Sequence, residues 1–449
     1  GILAYDTVAD LKAATNVVDG SFAETYGFYE KGDGGGAKYK IRAITNDDTI
    51  DESTIIEITA DPTNTLIAEL VMSAEMNVKQ FGCTGDGESD ETNKFNKAIA
   101  NCKKLYVNAG TYILNRFLPE ENQAITGIGV AILKLNGDTA PLCELTSGCS
   151  ISNITIESTK TDLAWNRCNI SNANNISIDN CTIKGFRHNV SSPNAWGILI
   201  GNSTGINIKN CYFDNNSQSD IALVNGCKDI TIDQCTGTHF FINVEPDSIT
   251  NKNNNVTIKN SELEKLAILE NNYLGTATEN ILVSNCTIDT LIYDGGTATL
   301  ENCIVNDIAP QITSNVAYGG ILNLVNTMNL SKNILTDPYF DMFHNWVDST
   351  RPWRTQTMSN QIDWTMTTIK DDDGVLTVFN PDNRGNISAI LEHQLIDVTA
   401  GDKFILRVNT KAKYPDSGVN YASLNYCATW VDNTNNRRSE ERRVGKECR

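Results

Sequence analysis

Ile176-Ser-Ile-Asp-Asn-Cys-Thr-Ile183 and Ile206-Asn-Ile-Lys-Asn-Cys-Tyr-Phe213 are two statements of one eight-residue phrase. Five more occur: Cys149-Ser-Ile-Ser-Asn-Ile-Thr-Ile156, Ile230-Thr-Ile-Asp-Gln-Cys-Thr-Gly237, Val256-Thr-Ile-Lys-Asn-Ser-Glu-Leu263, Ile281-Leu-Val-Ser-Asn-Cys-Thr-Ile288 and Ala298-Thr-Leu-Glu-Asn-Cys-Ile-Val305. Successive copies start 27, 30, 24, 26, 25 and 17 residues apart. That is the period of a solenoid, whose coils cannot bury their apolar faces alone and must stack. Apolar and polar residues alternate within each copy, so each is a β-strand with one face in a core, and helical repeats are excluded.

The fifth position is Asn in six copies and Gln in one. Asn tolerates the left-handed backbone region and bonds to neighbouring backbone, which places it at a corner between strands. Stacked corners would form an Asn ladder. The sixth position is Cys at Cys181, Cys211, Cys235, Cys286 and Cys303. No Cys-x-x-Cys or His-x-His pair offers a metal site, so neither metal nor cofactor is expected. Disulfides along the stack would be strained, and the total of 13 Cys is odd. The column reads as buried, reduced thiols acting as small hydrophobes, and a Ser there would cost about 1–3 kcal/mol unless its hydroxyl found a partner.

With 449 residues the chain has room for two or three domains. Its net charge of −19 and pI near 4.7 repel a phosphate backbone and disfavour nucleic acid as a partner, so none is expected. No apolar run approaches membrane-spanning length, so no membrane partner is expected, and no charged-then-apolar leader opens the chain at Gly1. Residues 438–449, Arg438 to Arg449, differ abruptly from the Asn- and Thr-rich chain before them and resemble the translation of a sequencing adapter. Without their five basic and three acidic residues the net charge becomes −21, and the natural C-terminus would be missing.

Residues 1–76 read as a small separate domain, with a helix-like Val8–Ala14, the loop Gly32-Asp-Gly-Gly-Gly36 and a strand over Ala37–Arg42. A strand rather than a helix follows that loop, so it suits a hairpin turn better than a phosphate cradle. Asp90 is the expected N-cap of a helix over 91–102 whose apolar face, Phe95, Ala98, Ile99 and Cys102, would cap the open end of the solenoid. The repeat is gone from Asn333 onward, where Trp346, Trp353, Trp364 and Trp430 lie.

The run Phe81-Gly-Cys-Thr-Gly-Asp-Gly-Glu-Ser-Asp-Glu-Thr-Asn-Lys-Phe-Asn-Lys-Ala-Ile99, followed by Asn-rich coils, resembles the start of the right-handed parallel β-helix of the pectate-lyase-like superfamily. The likeness covers residues 77–326. The segment from Gly27 to Tyr39 is similar to the head or neck of phage tailspikes and pre-neck appendages. The opening from Asn333 and the stretch Val398–Val408 resemble jelly-roll carbohydrate-binding modules, though residues 331–437 are too few to close one. The resemblance implies an all-β chain and a homotrimeric virion protein. Such a protein attaches to the phage tail or baseplate through its N-terminal domain, acts outside the cell, and binds and often cuts a bacterial surface polysaccharide.

Glycoside hydrolysis needs two carboxyl groups about 5–9.5 Å apart, and coils about 4.8 Å apart supply that spacing. The strands before successive copies end at Glu245, Glu270 and Asp294, an acidic column if they stack in register, with Asp220 and Asp247 nearby. Strand ends are also solvated corners where acids are ordinary. Tailspike-like β-helices carry a Glu-Pro strand end similar to Asn243-Val-Glu-Pro-Asp247, so Glu245 ranks first as general acid, with Asp220, Asp247 or Glu270 as partner. Asp294, Tyr293 and Trp196 are the substrate-binding candidates. His188 beside Arg187 could abstract a proton in a lyase, although an isolated exposed His is the plainer account. A depolymerase, a non-catalytic receptor-binding fibre and a secreted bacterial polysaccharide lyase all remain open.

Overall fold

The computed structural model describes residues 2–63, 65–189, 194–246, 251–269, 278–293, 295–309, 320–329, 368–372 and 375–379. Two compact units divide the chain, Gly1–Ile242 with Lys259–Glu262, and Asn243–Ile258 with Leu263–Arg449. The architecture is a right-handed parallel β-solenoid.

In the first unit the copies of the phrase stack as one sheet through Ser150–Ser158, Asn174–Asp179, Thr204–Lys209 and Lys228–Asp233. Their register aligns Ile151, Ile178, Ile208 and Ile232 into one buried row. Each such side chain contributes about 1.5–3 kcal/mol relative to exposure. A second parallel sheet runs through Cys143–Glu144, Asn166–Ser171, Ala195–Gly201 and Ile221–Val224, and sends Cys168, Ile198 and Ile221 inward. The two sheets close over one core. The second unit repeats this plan, with Thr278–Ser284, Gly296–Glu301 and Gly320–Val325 on one face and Thr287–Tyr293, Ile304–Ala309 and Met328–Asn329 on the other.

The corners follow the expectation from the fifth position. Asn153, Asn180, Asn210, Gln234, Asn260, Asn285 and Asn302 all have φ between 51° and 58°. The residue just before several copies is left-handed too, at Gly148, Asn175, Gly205, Asp229, Asn255 and Asn280. The ladder is not the uniform Asn stack that was anticipated. Asn180 donates to the Asn153 side chain at 2.8 Å, whereas Asn210 donates to Asp179 at 2.7 Å and Asn260 to Asp233 at 2.8 Å. The carboxylate one residue before the previous corner is the stronger acceptor within reach, so it takes the amide where it exists.

The structure also adds a copy. Leu322-Asn-Leu-Val-Asn-Thr-Met-Asn329 starts 24 residues after Ala298, stacks on it in register, and has its own left-handed corner at Asn326. Thr327 stands where five of the other copies have Cys.

The open end is covered as the sequence suggests, with a shifted cap. The helix runs Thr92–Asn101 with Glu91 at its N-cap, while Asp90 accepts from the Thr92 N–H at 2.9 Å. Glu91 is displaced from ordinary capping because its buried carboxylate accepts from the Thr84 N–H and hydroxyl and from the Gly85 N–H at 3.0 Å. Phe95 packs edge-on against Tyr112 and Phe117, and Gln123 donates to the Ile99 and Cys102 carbonyls at the helix end.

Before the helix, five strands within Leu3–Leu70 form a small mixed sheet. Phe22–Thr25 and Lys38–Ala43 pair antiparallel across a long connection rather than a tight turn. Asp33 organises that connection by accepting from the N–H groups of Phe28, Tyr29, Glu30 and Gly35. At the C-terminal side, Thr368–Asp372 and Val375–Phe379 form an antiparallel hairpin. The rest of the expected 331–437 domain, its four tryptophans and the 438–449 tail lie outside the described residues.

Candidate functional site

The outward face of the second sheet carries the most distinctive polar and aromatic grouping among the described residues. In strand Asn166–Ser171 Cys168 and Ile170 fill the core, while the half-buried Arg167 and the buried Asn169 lie on the other face. Trp165, immediately before it, sits at φ 64° and is 49% exposed. That backbone region is costly for a bulky residue, and such strain gathers at functional sites.

One coil on, Trp196 stands in register with Arg167, and the ladder then slips by one residue. Gly197 makes the slip: a Cβ there would lie 2.5 Å from the Asp220 carbonyl oxygen, so only glycine fits. The bulge leaves Trp196 beside its neighbours on the adjacent coil. The Trp165 and Trp196 ring centres are 5.8 Å apart, and the Arg167 guanidinium carbon is 4.9 Å from the first and 5.9 Å from the second. The three groups form a nearly equilateral cluster.

A polar line continues from it. Arg167 Nε donates to Asn169 Oδ1 at 3.0 Å, and Asn169 Nδ2 donates to Glu144 Oε1 at 3.0 Å on the preceding coil. Arg167 Nη1 is buried without a hydrogen-bond partner. Burial lowers the Arg167 pKa, opposed by the Glu144 charge. Aromatic faces, a guanidinium and a carboxylate along one strip are suited to holding a sugar ring and a polar substituent.

The sequence singled out Trp196 alone. Trp165, Arg167, Asn169 and Glu144 were missed, and the Trp-x-Arg spacing at 165–167 was the only local signal. The other candidates are distributed differently. Asp220 is buried, its Oδ1 accepting from Asn216 Nδ2 at 2.7 Å and its Oδ2 from the Phe241 N–H at 2.8 Å, an arrangement that braces neighbouring coils. In the second unit, Glu245 is partly exposed and accepts from Asn243 Nδ2 at 2.6 Å. The Tyr293 hydroxyl donates to the Gly296 carbonyl at 2.8 Å. Asp247, Glu270 and Asp294 lie outside the described residues. The His188 N–H donates to the Ser217 hydroxyl at 3.0 Å.

Residues 75–313, more than half of the chain, match the family described as rhamnogalacturonase A/epimerase, pectate lyase-like. The chain belongs to that pectate-lyase-like family. No curated protein matches it significantly. Among solved structures, this pectate-lyase-like chain is similar to the tailspike protein gp49 of Acinetobacter baumannii bacteriophage Fri1, a capsular polysaccharide depolymerase, at 16% identity and a TM-score of 0.54 over 73% of this chain and 69% of that one. The Acinetobacter baumannii phage AM24 tailspike gives 10% identity and 0.45 over 73% and 63%. Pantoea stewartii WceF, a glycan biofilm modifying enzyme with a tailspike-like parallel β-helix, gives 13% and 0.42 over 88% and 53%. The pectate-lyase-like chain thus spans less than two thirds of the length of those last two proteins. The Fri1 likeness shows a shared fold.

Proposed function

We propose that this chain is a tailspike-like protein that binds a bacterial surface polysaccharide and cleaves it. The observation that carries the reading is the pair of partly exposed indole rings, Trp165 and Trp196, set on the outward face of a pectate-lyase-like solenoid. The fold shared with a phage capsular polysaccharide depolymerase supports it. Glu245 is the general acid in this reading, with Asp247 or Glu270 as its first partners to test, because both oxygens of Asp220 already hold the backbone and Asn216. Residues 1–76 would join the phage tail, and the protein would act outside the cell.

The test is incubation with a panel of purified capsular polysaccharides, following new reducing ends and the absorbance of unsaturated uronates. Reducing ends without that absorbance identify a hydrolase, and both together a lyase. Glu245→Gln should keep size and glycan affinity while lowering cleavage at least a hundredfold, because the amide cannot transfer the proton. Full activity in that variant removes Glu245 from the mechanism. The engagement of Asp220 favours one second reading, a non-catalytic receptor-binding fibre, for which binding without any new ends is the expected result.

A further inference from the structure

We propose that the cluster of Trp165, Arg167, Trp196, Asn169 and Glu144 is a subsite that selects a sugar bearing a carboxylate. This deepens the polysaccharide reading and rests on it.

An imbalance of charge marks the cluster. A partly buried guanidinium costs free energy unless it is paired. Arg167 makes no ion pair with any described residue, its Nη1 has no acceptor, and its two tryptophan neighbours supply only the weaker attraction of ring faces. Glu144 is reached only through the Asn169 amide, which fixes the guanidinium by its Nε edge and leaves the Nη edge to something else. In a chain of net charge −19, a guanidinium set beside two aromatic faces and touched by the Glu144 charge only across an amide is out of character with its surroundings. A carboxylate matches the fork of a guanidinium in shape and charge.

The aromatic part fixes what carries that carboxylate. A pyranose ring presents apolar C–H groups on one face, and the partly exposed indole of Trp165 offers a complementary surface. The sugar ring would lie on Trp165 and Trp196, with the indole of Trp165 shifting to open the Nη edge to the acid group. The strained backbone at Trp165 holds its ring over the guanidinium. Glu144, at the far end of the line, repels a second anion and so limits the subsite to one acid group.

Two sources supply such a carboxylate, a hexuronate and a nonulosonate. The full-length protein labelled with 5-fluorotryptophan, its Trp165 and Trp196 signals assigned with Trp165→Phe and Trp196→Phe, is titrated with methyl glucuronoside, its methyl ester, methyl glucoside and the methyl glycoside of N-acetylneuraminic acid. One of the two acids should shift both signals with at least tenfold tighter affinity than the ester and the neutral glucoside, and the tighter acid names the source. Arg167→Gln should reduce that acid to the level of the glucoside, and Arg167→Lys should recover only part of it. Should Arg167→Gln misfold, its fluorine spectrum will collapse, and the comparison of acid with ester in the parent protein decides alone. Equal affinity for acid, ester and glucoside overturns the carboxylate preference while keeping a sugar platform. No shift with any of the four overturns the subsite. Failure of the polysaccharide reading would instead appear as an absence of binding and cleavage across the capsule panel, which this titration does not measure.

Discussion

The side chain at the sixth position of the phrase adds a second donor to a backbone carbonyl of the corner. Cys211 Sγ donates to the carbonyl of Lys209 at 3.0 Å and lies 3.7 Å from that of Ile178 on the preceding coil. Cys181, Cys235, Cys286 and Cys303 make the same pair of contacts. Of the three copies without Cys, one has Ile154 there, while Thr327 donates its hydroxyl to the Leu300 and Val325 carbonyls and Ser261 to that of Lys259. The column is therefore chosen for a small donor as much as for apolarity, which alternation alone could not reveal. All eleven described cysteines are buried and outside any disulfide. The hydroxyl partner also revises the expected cost of serine. Cys211→Ser should change stability by less than about 1 kcal/mol, whereas Cys211→Ala removes the second donor from the Lys209 carbonyl, which keeps the Asn180 N–H at 3.0 Å, together with the packing of the sulfur, and should cost about 1–2 kcal/mol. Urea melts of the two variants check this, and a Ser variant as damaged as the Ala variant would refute the donor role.

Between elements, polar side chains tie the small N-terminal sheet to the solenoid cap. The Ser53 hydroxyl donates to the Phe81 carbonyl at 2.7 Å, and the Lys97 ammonium on the capping helix meets Asp51 at 3.0 Å. Burial raises the Asp51 pKa, but hydrogen bonds from the Ile55 N–H, the Thr54 hydroxyl, Lys97 and the Ser53 N–H outweigh it and bring it down to about 2. A carboxyl lowered on folding stabilises the folded form above its unfolded pKa, near 3.9, and loses that contribution as pH falls toward the folded value. The melting temperature should therefore fall between about pH 4 and pH 2 in the parent, and Asp51→Asn should be less stable at neutral pH with a flatter acid profile. Glu91→Gln tests the cap itself. The amide puts N–H groups against the Thr84 and Gly85 donors, so the variant should lose about 1–3 kcal/mol in a thermal melt. The helix, the strands Lys104–Val107 and Gly110–Leu114 and the Asn corners were all legible, because each depends on residues close in the chain. The Trp165–Arg167–Trp196 cluster was not. It is assembled by stacking and by a one-residue slip at Gly197, neither of which leaves a trace in local spacing.

For the molecule as a whole, the tailspike-like reading implies three-fold assembly. Light scattering should return three chains per particle at micromolar concentration, and a monomer throughout that range would count against it. The corner side chains of the solenoid also share one direction along its axis. Asn180 reaches back to Asn153, Asn210 to Asp179, Cys235 to Ile208 and Cys303 to Val283, so in each case the donor sits on the later coil and the acceptor on the earlier one. A ribosome releases the earlier coil first, at roughly 5–20 residues per second. Each coil would leave the exit tunnel to find the acceptors of its corner side chains already laid down, seconds after its predecessor, while its corner N–H, like that of Asn180 toward the Lys209 carbonyl, waits for the coil that follows. Synthesis itself would then order the two sets, closing the side-chain bonds of a corner onto the coil before it and its backbone bond onto the coil after it.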